Sequence, residues 1–245
     1  MKEDFYILKE EFKRIKNMGL ISPLRRGSTG IGYTFETLLN KKEDTDCKPD
    51  FKGIELKTKL GYSKSPLTLF HCVPQRQQDS AINYIFQKYS YTKHNQKNIK
   101  IFECNIFSNK YIKKYNHYFK IRIDYLEKQV IMESYYNNIY IEDVCYWDFK
   151  ILETKLKSKL NKLAIIYAYP YKKDNKLYYK YLKMNSYKLK GFFEFLRLIE
   201  EDKISIQIYL KQKFDETGNE FIDNHGIAFR IDNSFIEELF TKLYV

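Results

Sequence analysis

Two carboxylates and a lysine stand close together in the stretch CKPDFKGIELKTK, residues 47–59. In a strand, alternation would direct Glu55 and Lys57 to one face and Leu56 to the other, which makes one face ionic and one apolar. Buried charges are costly unless they are paired, and a cation would complete a cluster of Asp50, Glu55 and Lys57. Mg²⁺ prefers oxygen ligands and commonly binds through one or two carboxylates, water and phosphate oxygens. The spacing therefore predicts a magnesium site in which the ion and Lys57 activate water for attack on phosphorus.

The tripeptide of an acid, any residue and lysine is weak evidence by itself, because a basic chain forms it by chance. It recurs, for example, at residues 11–13 and 148–150. The copy at residues 55–57 differs in its context: it has an apolar alternating strand, the dipeptide PD upstream, and an acidic residue, Glu36, on a predicted helix before it. The alternative is a solvated ion pair on an edge strand.

The charge of the chain favours a polyanionic partner. It has 43 basic against 31 acidic residues, which gives a formal net charge of +12, and an excess of this size is typical of proteins that bind nucleic acid. An AT-rich genome would also enrich lysine, so the few arginines are more informative, since guanidinium groups bind guanine and phosphate through two parallel hydrogen bonds.

Composition predicts a globular protein without a membrane span. The hydrophobic fraction is 44% and the aromatic fraction 17%, unlike disordered chains. No apolar run reaches the roughly 18 residues that a span needs, and the charged N-terminus is not built like a secretion signal, so we expect a cytoplasmic protein. The scattered Cys47, Cys72, Cys104 and Cys145 predict reduced, buried thiols rather than zinc ligands.

Apolar periodicity predicts helices and strands in alternation along one compact chain. Helices are predicted over 3–18, from near residue 29 or 30, over 79–90, around 149–160, over 191–201 and at the C-terminal end. Strands are predicted after Pro49, over 67–73, 98–107, on both sides of a hairpin around residues 127 and 128, and over 163–171, 176–184, 204–210 and 226–231, with a polar loop over 215–224. The predicted class is α/β or α+β, with a mixed sheet flanked by helices.

Four segments carry a family resemblance: RRGSTGIGYTFETLL, PDFKGIELKTK, LTLF and DNHGIAFRI. In this order they resemble the successive motifs of the MvaI and BcnI family of type II restriction endonucleases, whose catalytic core is similar to that of the mismatch-repair nickase MutH. The likeness runs across nearly the whole chain and also includes YFKIRID and VCYWDF. It is therefore far more specific than the tripeptide.

The resemblance implies roles for five residues of the PD-(D/E)xK motif and its surroundings. Asp50 and Glu55 would be the metal-binding acids, with the Leu56 carbonyl as an extra ligand. Lys57 would position or deprotonate the attacking water, and Glu36 would support a metal or its water shell. The implied cofactor is Mg²⁺, with Mn²⁺ as a substitute.

The resemblance also implies an architecture and a mode of action. We expect a restriction-endonuclease-like domain of two lobes around double-stranded DNA, with a catalytic lobe centred on about 1–95 and a recognition lobe in about 170–245. A monomer would nick one strand of a short, nearly palindromic site and then the other. A cognate DNA methyltransferase is expected genetically, not as a bound subunit. Two rivals are a MutH-like enzyme that nicks one strand in repair and a DNA-binding protein with an inactive site.

Base-reading residues are predicted near the C-terminal end. By motif, Arg230 and His225 fall in a DNA-reading part of the family, and Arg230 could bind guanine through O6 and N7. The alternatives are an arginine paired with an acid such as Asp232, and an ordinary loop histidine. Where the family carries an acid and an arginine on the preceding strand, this chain has Ser205 and Gln207, and glutamine can pair with adenine. The target sequence is therefore expected to differ from the usual targets of the family.

Three other arginines are predicted to contact phosphate groups. They are Arg25, Arg26 and Arg76. Phosphate contacts orient a duplex without reading its sequence.

Overall fold

The computed structural model describes residues 2–27, 29–41, 48–92 and 99–244, without the side chains of Lys2 and His225. The helices are α1 Lys2–Asn17, α2 Gly30–Leu38, α3 Ala81–Tyr89, α4 Phe149–Leu160, α5 Phe192–Glu200 and α6 Ile236–Leu239. The strands are β1 Glu55–Leu60, β2 Leu67–His71, β3 Tyr91–Thr92, β4 Lys100–Ile106, β5 Ile112–Lys114, β6 His117–Asp124, β7 Gln129–Tyr136, β8 Ile139–Asp148, β9 Lys162–Lys173, β10 Lys176–Leu189, β11 Ile204–Phe214, β12 Glu220–Ile231 and β13 Phe240–Leu243. The mixed class of helices and strands is confirmed.

The chain divides into two compact units. The first contains Met1–Ser65, Lys155–Lys190 and Glu237–Val245, and the second contains Pro66–Thr154 and Gly191–Ile236. Each unit is thus assembled from separate stretches of the chain. The assignment of catalysis to about 1–95 and of recognition to about 170–245 stays a prediction.

The first unit is a four-stranded sheet with helices packed against it. Its strand order is β1-β9-β10-β13, in which β1 runs parallel to β9 and the other pairs are antiparallel. The apolar side chains of α1 repeat at helical spacing because one stripe of the helix faces the core. Phe5, Leu8 and Ile15 are accordingly buried in a cluster that also contains Phe35 of α2 and Leu56 of β1.

The second unit contains two antiparallel sheets. One has five strands in the order β2-β12-β11-β4-β3, and the other has four in the order β5-β6-β7-β8. The predicted hairpin near residues 127 and 128 is confirmed as the β6–β7 turn, where Lys128 has a φ of 55°.

The structure corrects two sequence predictions about local structure and adds a strand that was not predicted. The polar loop over 215–224 is shorter, because β12 already begins at Glu220 and pairs with the end of β11. The C-terminal helix is only the four-residue α6, after a single 3₁₀ turn at Asn233–Phe235. It is followed by β13, which pairs with β10, and pairing with a distant strand leaves no local periodic signal.

The described helices include none that is long and apolar enough to cross a membrane. Cys72, Cys104 and Cys145 are buried, as predicted. Cys47 lies outside the described residues.

Candidate active site

A tight turn brings Asp50 to the start of β1. Residues 51–54 form a two-residue hairpin in which Lys52 and Gly53 have φ values of 46° and 77°, the backbone conformation of a type I′ turn. The turn folds the preceding segment back onto the strand. As a result, the Asp50 Oδ2 atom accepts a hydrogen bond of 2.9 Å from the Leu56 N–H.

Glu55 is a buried carboxylate between two lysines. The residue is 2% exposed, and its Oε1 atom lies 2.8 Å from Lys57 Nζ and 3.6 Å from Lys159 Nζ of α4. The Oε2 atom is buried and has no hydrogen-bond partner among the described residues. A buried oxygen that lacks a partner is costly, so this atom is suited to accept a cation or a donor from a ligand.

The Leu56 carbonyl faces the same edge as Asp50. In an extended strand the N–H and C=O groups of one residue point to the same side, and the Leu56 N–H points to Asp50. Within the described strands, β1 lies at the edge of its sheet. The backbone oxygen is therefore on the side of β1 that does not face β9.

Helix α2 carries Glu36 close to β1. A Cβ on Gly32 would lie 3.0 Å from Thr58 Oγ1 and 3.7 Å from Glu36 Oε1, so a residue without a side chain allows the helix to approach the strand. Between them lies a cleft of about 420 Å³. Its lining includes Arg25, Tyr33, Glu36, Lys41, Leu56 and Lys57.

Asp50, Glu55 and Glu36 repel one another. Burial raises the pKa of Glu55; Lys57 opposes this rise, and Asp50 adds to it. Burial also raises the pKa of Glu36, with further contributions from Asp50 and Glu55 against those of Lys41 and Lys57. A cation bound by Asp50 and Glu55 would relieve both the desolvation and the repulsion.

Two lysines of the site were missed by sequence reasoning. Lys41 forms an ion pair with Asp50 Oδ1, and Lys159 lies near Glu55. Lys41 stands in a polar turn beside another lysine, where no pattern distinguishes it. Lys159 precedes the buried Leu160 of α4, but only the pairing of β1 with β9 brings that helix to Glu55.

The residues present fit a hard divalent cation bound with few protein ligands. The described chain contains no group of three or more His, Cys, Asp or Glu side chains that could hold a metal ion. Asp50 and Glu55 nevertheless offer carboxylate oxygens, including the unpartnered Oε2, and Leu56 offers a carbonyl at the same edge. Two carboxylates completed by water and phosphate oxygens are a usual magnesium site.

In the second unit, Arg230 and Gln207 lie together on β12 and β11. Arg230 Nη1 donates to Gln207 Oε1 and Nη2 donates to the Pro66 carbonyl, each at 3.0 Å. Burial lowers the pKa of the Arg230 guanidinium, and its Nε has no hydrogen-bond partner in the part of the chain described. Asp232 instead accepts a backbone N–H in the next turn, so the alternative pairing of Arg230 with Asp232 is wrong.

The other predicted DNA contacts lie in both units. Arg25 stacks on Tyr33, 3.9 Å from the ring centroid, and Arg26 is exposed. Both belong to the first unit. Arg76 belongs to the second unit, where its Cζ atom lies 3.5 Å from the centroid of the Tyr84 ring. Its Nε atom forms an ion pair with Asp79, three residues later in the chain. The side chain of His225 lies outside what the structure describes.

Comparison with known proteins identifies the family. The model of the MvaI/BcnI restriction endonuclease family matches residues 9–240. A solved structure titled "Restriction endonuclease MvaI-cognate DNA substrate complex" is 31% identical, with a TM-score of 0.88, and the match covers 99% of this chain and 98% of that one. The structure "Restriction endonuclease MvaI in the absence of DNA" has the same identity and coverage and a TM-score of 0.64.

No curated protein sequence matches the chain. The two solved structures nevertheless confirm the fold class and the resemblance drawn from the motifs, because the likeness extends over nearly the whole length of both chains. The chain therefore belongs to the MvaI/BcnI restriction endonuclease family, whose members are site-specific deoxyribonucleases.

Proposed function

We propose that this restriction endonuclease hydrolyses phosphodiester bonds of double-stranded DNA at a short, nearly palindromic site in a Mg²⁺-dependent reaction. The observation that carries the proposal is the buried Glu55 carboxylate, which has one oxygen without a partner and lies beside Lys57. The solved structure of the related MvaI in complex with its cognate DNA substrate supports duplex DNA as the ligand.

Asp50, Glu55 and the Leu56 carbonyl would hold the ion, and Mn²⁺ would substitute for Mg²⁺. When bound, the ion supplies acidification of a water molecule and compensation of charge on the phosphate group. Restriction endonucleases of this family generally use divalent ions. The donor set, which consists only of oxygen atoms, supports magnesium as the ion.

Lys57 orients the attacking water. Its ammonium group has three donors, of which one is engaged by Glu55 Oε1 at 2.8 Å. The remaining donors can bind the water and a non-bridging phosphate oxygen. Glu36 lies in the same cleft with a raised pKa and supports the water shell of the ion by accepting hydrogen bonds.

Arg230, His225 and Gln207 are the proposed base-reading residues. Arg230 is held by Gln207 and by the Pro66 carbonyl, which fixes the plane of its guanidinium group before DNA binds. A fixed plane favours the two parallel hydrogen bonds to guanine O6 and N7. Gln207 Oε1 is already engaged by Arg230, and its amide group can donate to an adjacent base.

Arg25, Arg26 and Arg76 are proposed as phosphate contacts. Arg25 and Arg76 hold their guanidinium groups over tyrosine rings, which limits the rotamer freedom lost on binding. We further propose a monomer in the cytoplasm that cuts by two successive nicks, and a cognate methyltransferase that acts separately.

The test is to incubate the purified protein with a phage genome and Mg²⁺ and to sequence the fragment ends. Asp50→Ala and Lys57→Ala are compared with Lys64→Ala, which removes an exposed lysine. The proposal expects discrete ends from the parent and from Lys64→Ala, and none from the two site variants. Random ends would contradict site specificity, and cleavage by Asp50→Ala or Lys57→Ala would contradict the assigned roles.

The same preparation separates double-strand cleavage from nicking. On a plasmid with one site, two successive nicks give an open circle that becomes linear with time. A plasmid that stays nicked after long incubation would instead identify a MutH-like activity. Binding of a defined duplex without any cleavage in Mg²⁺ or Mn²⁺ would identify an inactive DNA-binding protein.

A further inference from the structure

The β9–β10 hairpin extends beyond the rest of its sheet. Strand β1 pairs with β9 only from Leu163 to Ala168, whereas β9 continues to Lys173 and β10 begins at Lys176. The turn between them is the two residues Asp174 and Asn175, with φ values of 50° and 57°. Positive φ at both positions is the geometry of a tight hairpin that matches strand twist.

One face of this extension carries only lysine and tyrosine. Its three cross-strand pairs are Lys173–Lys176, Tyr171–Tyr178 and Tyr169–Lys180. We call these six residues the ribbon face. Tyr169 and Tyr171 are 36% and 43% exposed, and both lysines next to the turn are exposed as well. None of the three lysines forms an ion pair with a carboxylate in the described part of the chain.

The opposite face of the hairpin faces the core near the sheet. Tyr179 and Tyr181 are buried there in the cluster beneath α1 and α2. Only near the turn does this face become exposed, at the pair of Lys172 and Leu177. By the alternation of the strand, the six residues of the ribbon face therefore lie on the side of the hairpin opposite the core.

The ribbon face lies on the side of the sheet that carries Glu55 and Lys57. Paired residues of adjacent strands direct their side chains to the same side, and Lys57 pairs with Ile165. Tyr169 follows Ile165 by four residues on β9, so its side chain lies on that same side of the sheet. A Cβ on Gly61 would lie 2.1 Å from the Tyr169 ring. Glycine at this position lets the ring lie against the end of β1, which fixes the first residue of the ribbon face.

The reach of the ribbon face corresponds to several base pairs. Lys173 lies eight residues beyond Ile165, and at about 3.3 Å per residue this is about 26 Å along the strand. At about 3.4 Å per base pair, the same length of duplex holds roughly eight base pairs. The cationic end of the ribbon is therefore too far from Lys57 to contact the reactive phosphate group.

We propose that the ribbon face binds the sugar-phosphate backbone of duplex DNA that flanks the recognition site. The inference rests on the proposed function, since the flank belongs to the DNA that is cut. Lysine ammonium and tyrosine hydroxyl groups are usual donors to phosphate oxygens. A face with three lysines and no acid complements a polyanion, and its lack of amide or guanidinium groups suits contacts that do not depend on sequence.

The double variant Lys173→Gln/Lys176→Gln tests this proposal. Its matched control is Lys172→Gln/Lys16→Gln, which removes the same charge from the opposite face of the hairpin and from the end of α1. Fluorescence anisotropy in EDTA measures binding to a duplex with the cleavage site and 12-base-pair flanks, at several salt concentrations. Melting temperatures establish that both variants are folded.

We expect the slope of log K against log salt to be smaller by about 1.8 for the ribbon variant, because each lost phosphate contact contributes about 0.9. The control keeps the slope of the parent. On a duplex with flanks of two base pairs, parent and ribbon variant bind alike. Equal slopes for the two variants on long flanks, or a loss that persists on short flanks, would overturn the proposal.

Cleavage by the parent protein distinguishes failure of the ribbon inference from failure of the proposed function. If the parent cuts the duplex at one site and the ribbon variant keeps its slope, only the ribbon inference fails. If the parent neither binds nor cuts any duplex, the proposed function fails and the ribbon inference fails with it.

Tyr171→Phe, which removes only a hydroxyl group, should weaken binding to duplexes with long flanks and leave binding to duplexes with short flanks unchanged.

Discussion

Two carboxylates, one in each unit, differ in how many of their oxygen atoms accept hydrogen bonds. Glu142 on β8 accepts hydrogen bonds from the Tyr84 hydroxyl at 2.7 and 2.6 Å and from the Tyr89 hydroxyl at 2.6 Å, with Lys88 Nζ at 3.1 Å. Both of its oxygens are engaged. Glu55 on β1 is more deeply buried, yet its Oε2 has no partner in the described chain.

The pKa directions follow this difference. For Glu142 burial alone would raise the pKa, but hydrogen bonds from Tyr84, Tyr89 and Lys88 outweigh it and lower the pKa. For Glu55 burial prevails and the pKa is raised. Both oxygens of Glu142 are therefore satisfied within the protein, whereas Glu55, the carboxylate proposed to bind a ligand, retains one oxygen without a hydrogen-bond partner among the described residues.

The largest effect is expected from Glu55→Gln. An amide cannot supply the charge that a bound cation requires, so we expect cleavage to fall by about 10³-fold or more, the scale of losing a charge-stabilising group in an active site. The free energy of unfolding at pH 7 should not fall by an amount comparable to this loss of activity. Plasmid cleavage and urea unfolding measure the two quantities, and a variant that cuts like the parent would remove Glu55 from the site.

Glu142→Gln should have the reverse effect. It weakens the hydrogen bonds from three donors to a charged group, and a single hydrogen bond to a charged group contributes about 1.5–3 kcal/mol. We therefore expect the free energy of unfolding at pH 7 to fall by about 2 kcal/mol, with cleavage per folded molecule unchanged. Urea unfolding of the variant measures this loss, and a change near zero would show that the tyrosines and the lysine do not stabilise Glu142.

The pH dependence of stability should have opposite signs for Glu142 and Glu36. Because the folded pKa of Glu142 is lowered, its contribution is present above pH 4.5 and is lost as the pH falls through the folded value. The folded pKa of Glu36 is raised, so its destabilising effect develops as the pH rises from 4.5 through that value. Urea unfolding from pH 3 to 8 should show Glu142→Gln approaching the parent at low pH, and Glu36→Gln exceeding it only at higher pH.

The smallest effect is expected from Lys159→Met. Lys159 lies 3.6 Å from Glu55 and is partly exposed, and pairs of this kind contribute about 0.2–1 kcal/mol. Since Lys159 lowers the pKa of Glu55, its loss should reduce cleavage by about two- to fivefold at pH 6 and less at pH 8. Lys159→Arg should restore the parent profile, and a uniform loss at all pH values would point to a structural cause instead.

The contrast between the two acids was only partly predictable from the sequence. Asp50, Glu55 and Lys57 could be found because local alternation and a short turn bring them together. Glu142 and Lys159 could not, since their partners lie 58 and 104 residues away and are brought to them by tertiary structure. Helices α1 and α4 were predicted from their apolar periodicity, whereas β13 was missed because it is formed by pairing with β10 rather than by any local pattern.

The most direct test is a crystal of the protein soaked in Mn²⁺, with the ion located by anomalous scattering. The account predicts a peak bound by Asp50 and by the unpartnered Oε2 of Glu55, with the Leu56 carbonyl beside it. The peak should be absent in crystals of Glu55→Gln. A parent crystal without manganese at this place, or with manganese bound only elsewhere, would contradict the claim that these acids form the metal site.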